Sequence, residues 1–273
     1  MLRDTKELEH YAIKATDGEI GQVKDFYFDD DGWVIRYLVV ETGGWLSSRR
    51  VLISPVSVHH PDWVRRTLEV SITREQVKNS PDIDTDRPVT RQHEAQYMGY
   101  YGYTNYWGGA GMWGGGIYPY GMVPGYAGYD IDPVERDREL QAYQKAERAR
   151  HQNDDPHLRS CNAVHGYHIE ASDGGIGHVA GYLVDERTWA IRYLVVDTSN
   201  WWMGHKVLIA PDWISGVHWP DKTVSIGLSR ASVKASPVYD PNVEWGPQLD
   251  SSLYQHYGRA DYWSSAPYYP SAL

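Results

Sequence analysis

The chain has 273 residues, 41% hydrophobic and 23% charged, enough for two ordinary cores and too apolar for disorder throughout. Lys+Arg 26 against Asp+Glu 36 leave a formal net charge of −10, which argues against direct nucleic-acid binding, since affinity for phosphate backbones rests on cations that release counterions. Cys161 is the single cysteine and excludes an internal disulfide; with no signal peptide and no apolar run of about 20 residues, the expectation is a cytoplasmic protein without a transmembrane segment, peripheral membrane association being left open.

In chain order, residues 19–28 alternate with Ile20, Val23, Phe26 and Phe28 as apolar members, and Gly18 and Gly21 mark a turn. Asp29-Asp30-Asp31-Gly32 reads as a solvated acidic hairpin turn leading into Trp33 to Val40, a β-branched and aromatic run expected to be a central strand. After Thr42-Gly43-Gly44, short strands are expected over Arg50 to Ser54, Val56 to His59 and Thr67 to Ile72. Thr73 then reads as an N-cap with Gln76 at the capping-box position, and Pro81 as the stop.

This pattern occurs twice. At an offset of 156 residues, Asp17-Gly18-Glu19-Ile20-Gly21 falls on Asp173-Gly174-Gly175-Ile176-Gly177, and Trp33 to Thr42 falls on Trp189 to Thr198. Val51-Leu52-Ile53 with Pro55 falls on Val207-Leu208-Ile209 with Pro211. The units run over 4–87 and 158–243, each of small-domain size. Short strands without a long helix predict a mainly β chain whose two repeats are each a small closed barrel or a sandwich.

Between the repeats, Tyr97 to Tyr129 holds nine tyrosines and eleven glycines in 33 residues. Such a stretch lacks the aliphatic period that offsets ordering entropy, so 88–130 is read as a flexible Gly/Tyr/Trp-rich linker, with weak self-association through stacked rings as its functional alternative. Asp132-Pro133-Val134-Glu135 opens a connecting, solvated helix over 131–152. The tail, 244–273, is aromatic without a period and is expected to be largely irregular.

The stretches DGEIGQVKDFYFDDDGWVIRYLVVETGGWLSSRRVLISP and DGGIGHVAGYLVDERTWAIRYLVVDTSNWWMGHKVLIAP together resemble the PRC-barrel family. That small β-barrel is shared by the photosynthetic reaction-centre H subunit and the C-terminal domain of a ribosome maturation factor. The chain is similar to the free-standing tandem PRC-barrel proteins of bacteria. The resemblance implies a barrel fold, and by analogy alone a photosynthesis or electron-transport accessory role, or a ribosome-assembly adaptor. The charged opening Met1-Leu2-Arg3-Asp4 differs from the membrane helix of the first relative, and the pairing of the unit with itself differs from the second.

No catalytic constellation emerges, and no cofactor or metal is expected. His59 and His60 are adjacent on a strand and so point to opposite faces, Gly18 and Gly21 do not lead a phosphate loop into a helix, and the acidic turn lacks calcium-loop spacing. Arg36 and Arg192 each interrupt an apolar strand. They are read as arginines that reach the barrel rim or pair with Glu41 or Asp197, or else as anchors for an acidic partner. Trp33 and Trp189 are expected to be buried. Trp45, Trp201 and Trp202, with Arg36 and Arg192, are the candidate residues for contact with a protein partner or with the other barrel, tryptophan being a usual energetic centre of interfaces. The expected function is a non-enzymatic interaction scaffold whose two barrels pack as a pseudo-twofold pair.

Overall fold

The structure is a computed structural model that describes residues 1–81, 89, 91–107, 111–122, 157–198 and 205–259. The first repeat runs through β1 (Leu2–Asp4), α1 (Thr5–Leu8), β2 (Ala12–Ala15), β3 (Gly18–Asp29), β4 (Val34–Thr42), β5 (Arg50–Ile53), β6 (Val58–Asp62), β7 (Thr67–Val70) and α2 (Arg74–Lys78). A further helix, α3 (Arg91–Tyr101), follows. The second repeat gives β8 (Leu158–Ser160), α4 (Cys161–Val164), β9 (His168–Ala171), β10 (Gly174–Asp185), β11 (Ile191–Asp197), β12 (Lys206–Ile209), β13 (Ile214–His218), β14 (Thr223–Ile226), α5 (Arg230–Lys234) and α6 (Pro247–His256).

The duplication read in the sequence is a duplication of topology. One sheet runs β5-β4-β3-β2-β7-β6 and the other β12-β11-β10-β9-β14-β13. In each, an early short strand and the last strand of the repeat lie parallel, β2 with β7 and β9 with β14, while the other registered pairs are antiparallel. Both paths end open among the described residues, which corrects the expectation of closed barrels. The ladder ends are satisfied by other means. On β5, the Tyr97 hydroxyl from α3 donates to the Leu52 carbonyl at 3.1 Å and accepts from the Ser54 N–H at 3.0 Å. On β12, the Tyr239 N–H donates to the Lys206 carbonyl at 2.7 Å. β6 carries Pro61, which has no donor to offer a further strand.

Each long central strand takes a seventh, short strand beside its C-terminal half, and that strand comes from the other repeat. β8 pairs β3, with Tyr27 opposite Ser160 and Asp29 opposite Leu158; β1 pairs β10, with Leu2 opposite Asp185 and Asp4 opposite Leu183. Leu2-Arg3 and Leu158-Arg159 are themselves a match at the repeat offset. The repeat-1 unit therefore comprises Thr5–Ala163 with Glu186–Ile191, and the repeat-2 unit comprises Met1–Asp4, Val164–Asp185 and Arg192–Leu273. Within the repeat-1 unit, the Ile35 N–H donates to the Trp189 carbonyl and the Ile191 N–H to the Trp33 carbonyl, each at 2.8 Å. Trp33 and Trp189 are both buried, as their sequence context indicates.

Two further differences concern the aromatic segments. α3 and the residues that follow it fall where composition indicated a flexible linker, and α6 falls where it indicated an irregular tail. Tyr97, Met98, Tyr103, Tyr106, Trp113 and Met122 are buried in the repeat-1 unit, as are Leu253 and Tyr254 in the repeat-2 unit. The helices are the same element twice. At the same offset, Glu94 matches Asp250, Tyr101 matches Tyr257, and Gly102 matches Gly258. Both glycines sit at positive φ, 70° and 64°, and the residue after each donates back to the helix, Tyr103 N–H to the Met98 carbonyl and Arg259 N–H to the Tyr254 carbonyl. That is a glycine-terminated helix end, which a left-handed backbone allows and a Cβ disfavours. The helix expected over 131–152 lies outside the described residues.

Candidate interaction site

The turn before β5 and the helix α2 frame a concavity of about 360 Å³ lined by Asp17, Trp45, Arg74, Glu75, Lys78 and Asn79. The local sequence builds it in steps. Thr73 caps α2 by accepting from the Gln76 N–H, and Gln76 reaches back to the Thr73 N–H at 2.8 Å, the capping box foreseen in the sequence. Asp17, from the β2–β3 turn, accepts from the Arg74 N–H at 2.8 Å. Gly18 leaves room for the Arg74 side chain: a Cβ there would lie 3.2 Å from Arg74 Cδ. Trp45 is half-buried and fixed by its indole N–H, which donates to the Ile20 carbonyl at 2.7 Å. The Arg74 guanidinium then lies 4.3 Å from the centre of the Trp45 ring, a cation–π contact.

The second repeat keeps much of this frame. Asp173 accepts from the Arg230 N–H at 2.7 Å, and Arg230 lies over Gly174, where a Cβ would come within 3.5 Å of both its Cδ and its Nη1. In sequence, Trp45 and Lys78 match Trp201 and Lys234, while Glu75 and Asn79 become Ala231 and Ala235. Trp201 and Trp202, named as contact candidates, lie outside the described residues.

Arg36 belongs to a different cluster and is not at a rim. Its Nε donates to Asp29 at 2.6 Å, the two side chains being 5% and 4% exposed, and its Nη1 donates to the Met112 carbonyl at 2.5 Å. The guanidinium lies 3.8 Å from the Tyr106 ring centre and 4.6 Å from that of Trp113. Glu41 instead faces Lys24 at 3.6 Å. The acidic turn thus differs from the solvated turn expected: Asp29 holds Arg36, Asp30 holds Arg159 at 2.8 Å, and only Asp31 of the three is exposed. Burial nevertheless raises the Asp30 carboxyl above its ordinary range, against the Arg159 hydrogen bond that lowers it.

Beside this lies a second buried set. Tyr106 donates to Glu94 Oε1 at 2.6 Å, and His157 Nε2 sits 2.6 Å from Glu94 Oε2 and 3.3 Å from the Tyr106 hydroxyl. Burial, then the charge of Glu94, pushes the Tyr37 hydroxyl well above its ordinary range. These contacts join α3, Tyr106 and the residue before β8 inside the unit, an arrangement that fixes position. Arg192 is half-buried in the repeat-2 unit; burial, then the charges of Asp250 and Asp212, raises the Tyr254 hydroxyl above its ordinary range, against the nearby charge of Arg192.

His59 and His60 sit on β6 with ring centres 6.2 Å apart, and no group of three metal-ligating side chains occurs among the described residues. Cys161 is buried, and desolvation followed by the charges of Asp25 and Glu9 pushes its thiol well above the ordinary range. No described helix is long and apolar enough to cross a membrane.

Tryptophan and arginine, which meet at this concavity, are side chains that protein interfaces enrich. Residues 6–77, which contain Asp17, Trp45 and Arg74, match the family model of the PRC-barrel domain. No curated protein matches the chain.

Proposed function

We propose that this protein is a non-enzymatic interaction scaffold built from two PRC-type units, one per repeat, and that it docks a protein partner at the Trp45–Arg74 groove. The observation that carries the reading is a half-buried tryptophan, pinned by its own N–H and stacked under an arginine, at the wall of a concavity inside the PRC segment. Trp and Arg are the side chains that concentrate binding energy when a partner dries the contact. The repetition of Asp17, Gly18, Trp45, Arg74 and Lys78 as Asp173, Gly174, Trp201, Arg230 and Lys234 supports a frame used twice. The buried cluster around Arg36 and Glu94 is read as internal scaffold, at the other end of β3 and β4 from the groove.

The test is recovery of partner from native cells by the full chain and by Trp45→Ala, with cross-links mapped from Lys78. Partner binding is expected to fall by about tenfold or more while the melting temperature is held. Recovery unchanged by Trp45→Ala, with cross-links elsewhere, removes the groove from the function.

A further inference from the structure

We propose that the groove recognises one carboxylate, the side chain of an Asp or Glu in an exposed segment of the partner, received by the Arg74 guanidinium. The inference rests on the groove being the docking site and adds the chemistry of what docks there.

Three observations carry it. Arg74 lines the concavity but forms no ion pair among the described residues; its backbone N–H, not its guanidinium, is what Asp17 holds. Its Nε–H is out of solvent and meets no acceptor among the described residues, so part of the cost of burying this cation is left uncompensated. The cation is nevertheless held in place, by the Trp45 face on one side and by the Cβ-free surface of Gly18 against its stem. A planar guanidinium fixed in this way has lost its rotamer freedom before any ligand arrives, and its planar fork of donors matches a carboxylate's two oxygens. Lys78, on the same wall and likewise without an ion pair among the described residues, adds a second positive charge.

The rest of the lining narrows the ligand further. Asp17 and Glu75 line the groove together with these two cations, so the wall is balanced in charge, and the chain as a whole carries −10. A run of acidic residues would meet repulsion from both. A single carboxylate with basic or amide neighbours satisfies Arg74 and Lys78 while placing its flanks near Asp17 and Glu75. Recognition is then short-range, set by the fit of one side chain and not by long-range attraction.

The experiment titrates the isotope-labelled full chain with an acetylated and amidated pentapeptide carrying one central glutamate between basic flanks, and with its glutamine twin. Resonances of Arg74 Nε–H and Trp45 Nε1–H are followed. The glutamate peptide is expected to move both resonances and to bind about tenfold tighter than the glutamine twin; Arg74→Gln is expected to erase the preference, and Trp45→Phe to retain it. Equal binding of the two peptides at Trp45 overturns the carboxylate assignment and leaves the groove as a docking site. Failure of the glutamate peptide to move Arg74 also overturns it, and the Trp45→Ala partner recovery then separately decides whether the groove docks anything.

Discussion

The two repeats place a carboxylate at the same point of the same helix and surround it differently. Asp250 of α6 accepts a hydrogen bond from the hydroxyl of Tyr193 on β11, and burial followed by the Asp250 charge raises that hydroxyl far above its ordinary range. Glu94 of α3 faces the matching Tyr37 on β4 but also takes the Tyr106 hydroxyl and the His157 imidazole. The shared part shows that the duplicated unit extends past its last strand through a glycine-capped helix. The extra partners show what the residues after Gly102 do in the first repeat: they bring Tyr106 and Trp113 onto Arg36 and close a buried polar set. The difference predicts unequal costs. Glu94→Gln leaves His157 and Tyr106 facing an amide in place of a charge and is expected to cost about 3 kcal/mol in urea unfolding; Asp250→Asn, which keeps an oxygen to accept from Tyr193, about 1 kcal/mol. Equal losses would show that the extra partners of Glu94 contribute nothing.

The exchanged strands supply the next comparison. Leu158 is fully buried beside β3, whereas Leu2 is half-buried beside β10. The first is also anchored by side chains: the Ser160 hydroxyl donates to Asp25 at 2.5 Å and the Asn162 N–H to the same carboxylate at 3.1 Å. Position 181, which matches Asp25, is glycine. Leu158→Ala is expected to cost about 3 kcal/mol and Leu2→Ala about 1 kcal/mol or less, measured by chemical unfolding. A larger loss at Leu2 would mean that the short strand matters more in the repeat that lacks the anchor.

Much of the fold was legible because strands with one clear period announce themselves. The glycine-bearing β3, the Trp33 to Val40 run and the Val51-Leu52-Ile53 strand read correctly, with their copies, and Thr73 read as a cap because capping is a local matter. The exchange of β1 and β8 was not legible. A three-residue strand has no period, and with Leu-Arg heading both segments the sequence offers each central strand two equivalent partners. α3 was hidden by composition: Gly and Tyr density around it suggests disorder, while the register that carries Gln92 onto Gln248, Glu94 onto Asp250 and Gly102 onto Gly258 was there to be followed. Of the candidate site, Trp45 stood out in the sequence as a candidate contact residue. Arg74 did not, since nothing local to it says that the chain folds it across Gly18 onto that ring.

Asp25 sharpens the comparison through pH. Burial raises its carboxyl above the ordinary value of 3.8, outweighing the hydrogen bonds from Ser160, Phe26 and Asn162 and the charge of Arg50. A carboxyl that binds its proton more tightly when folded costs stability while ionised. As pH falls through the folded value the native state takes up the proton first, and that cost is lifted before the unfolded chain titrates. The native protein is therefore expected to gain on Asp25→Asn as pH drops from about 7 to about 4, read as a converging or crossing pair of unfolding free energies. Because repeat 2 has Gly181 at this position, the dependence belongs to the repeat-1 unit. A difference between the two proteins that is constant in pH would assign the burial cost elsewhere.

The smallest expected contrast lies at the caps of α2 and α5, where the repeats differ by one side chain. Thr73 and Ser229 each accept from the N–H three residues on, at 3.1 Å and 3.2 Å. Gln76 reciprocates by accepting from the Thr73 N–H, whereas its counterpart Ser232 is too short to reach back and instead donates to the Ser229 carbonyl at 2.8 Å. Thr73→Ala removes one cap bond and leaves Gln76 holding the other, while Ser229→Ala removes the side-chain acceptor at its helix start. Both are expected to cost about 1 kcal/mol, and Gln76→Ala about half that, seen as small drops in the urea midpoint. If Gln76→Ala proved as costly as Thr73→Ala, the reciprocal bond would be what holds Arg74 in register over Trp45, and the same variant would then weaken the groove as well as the helix.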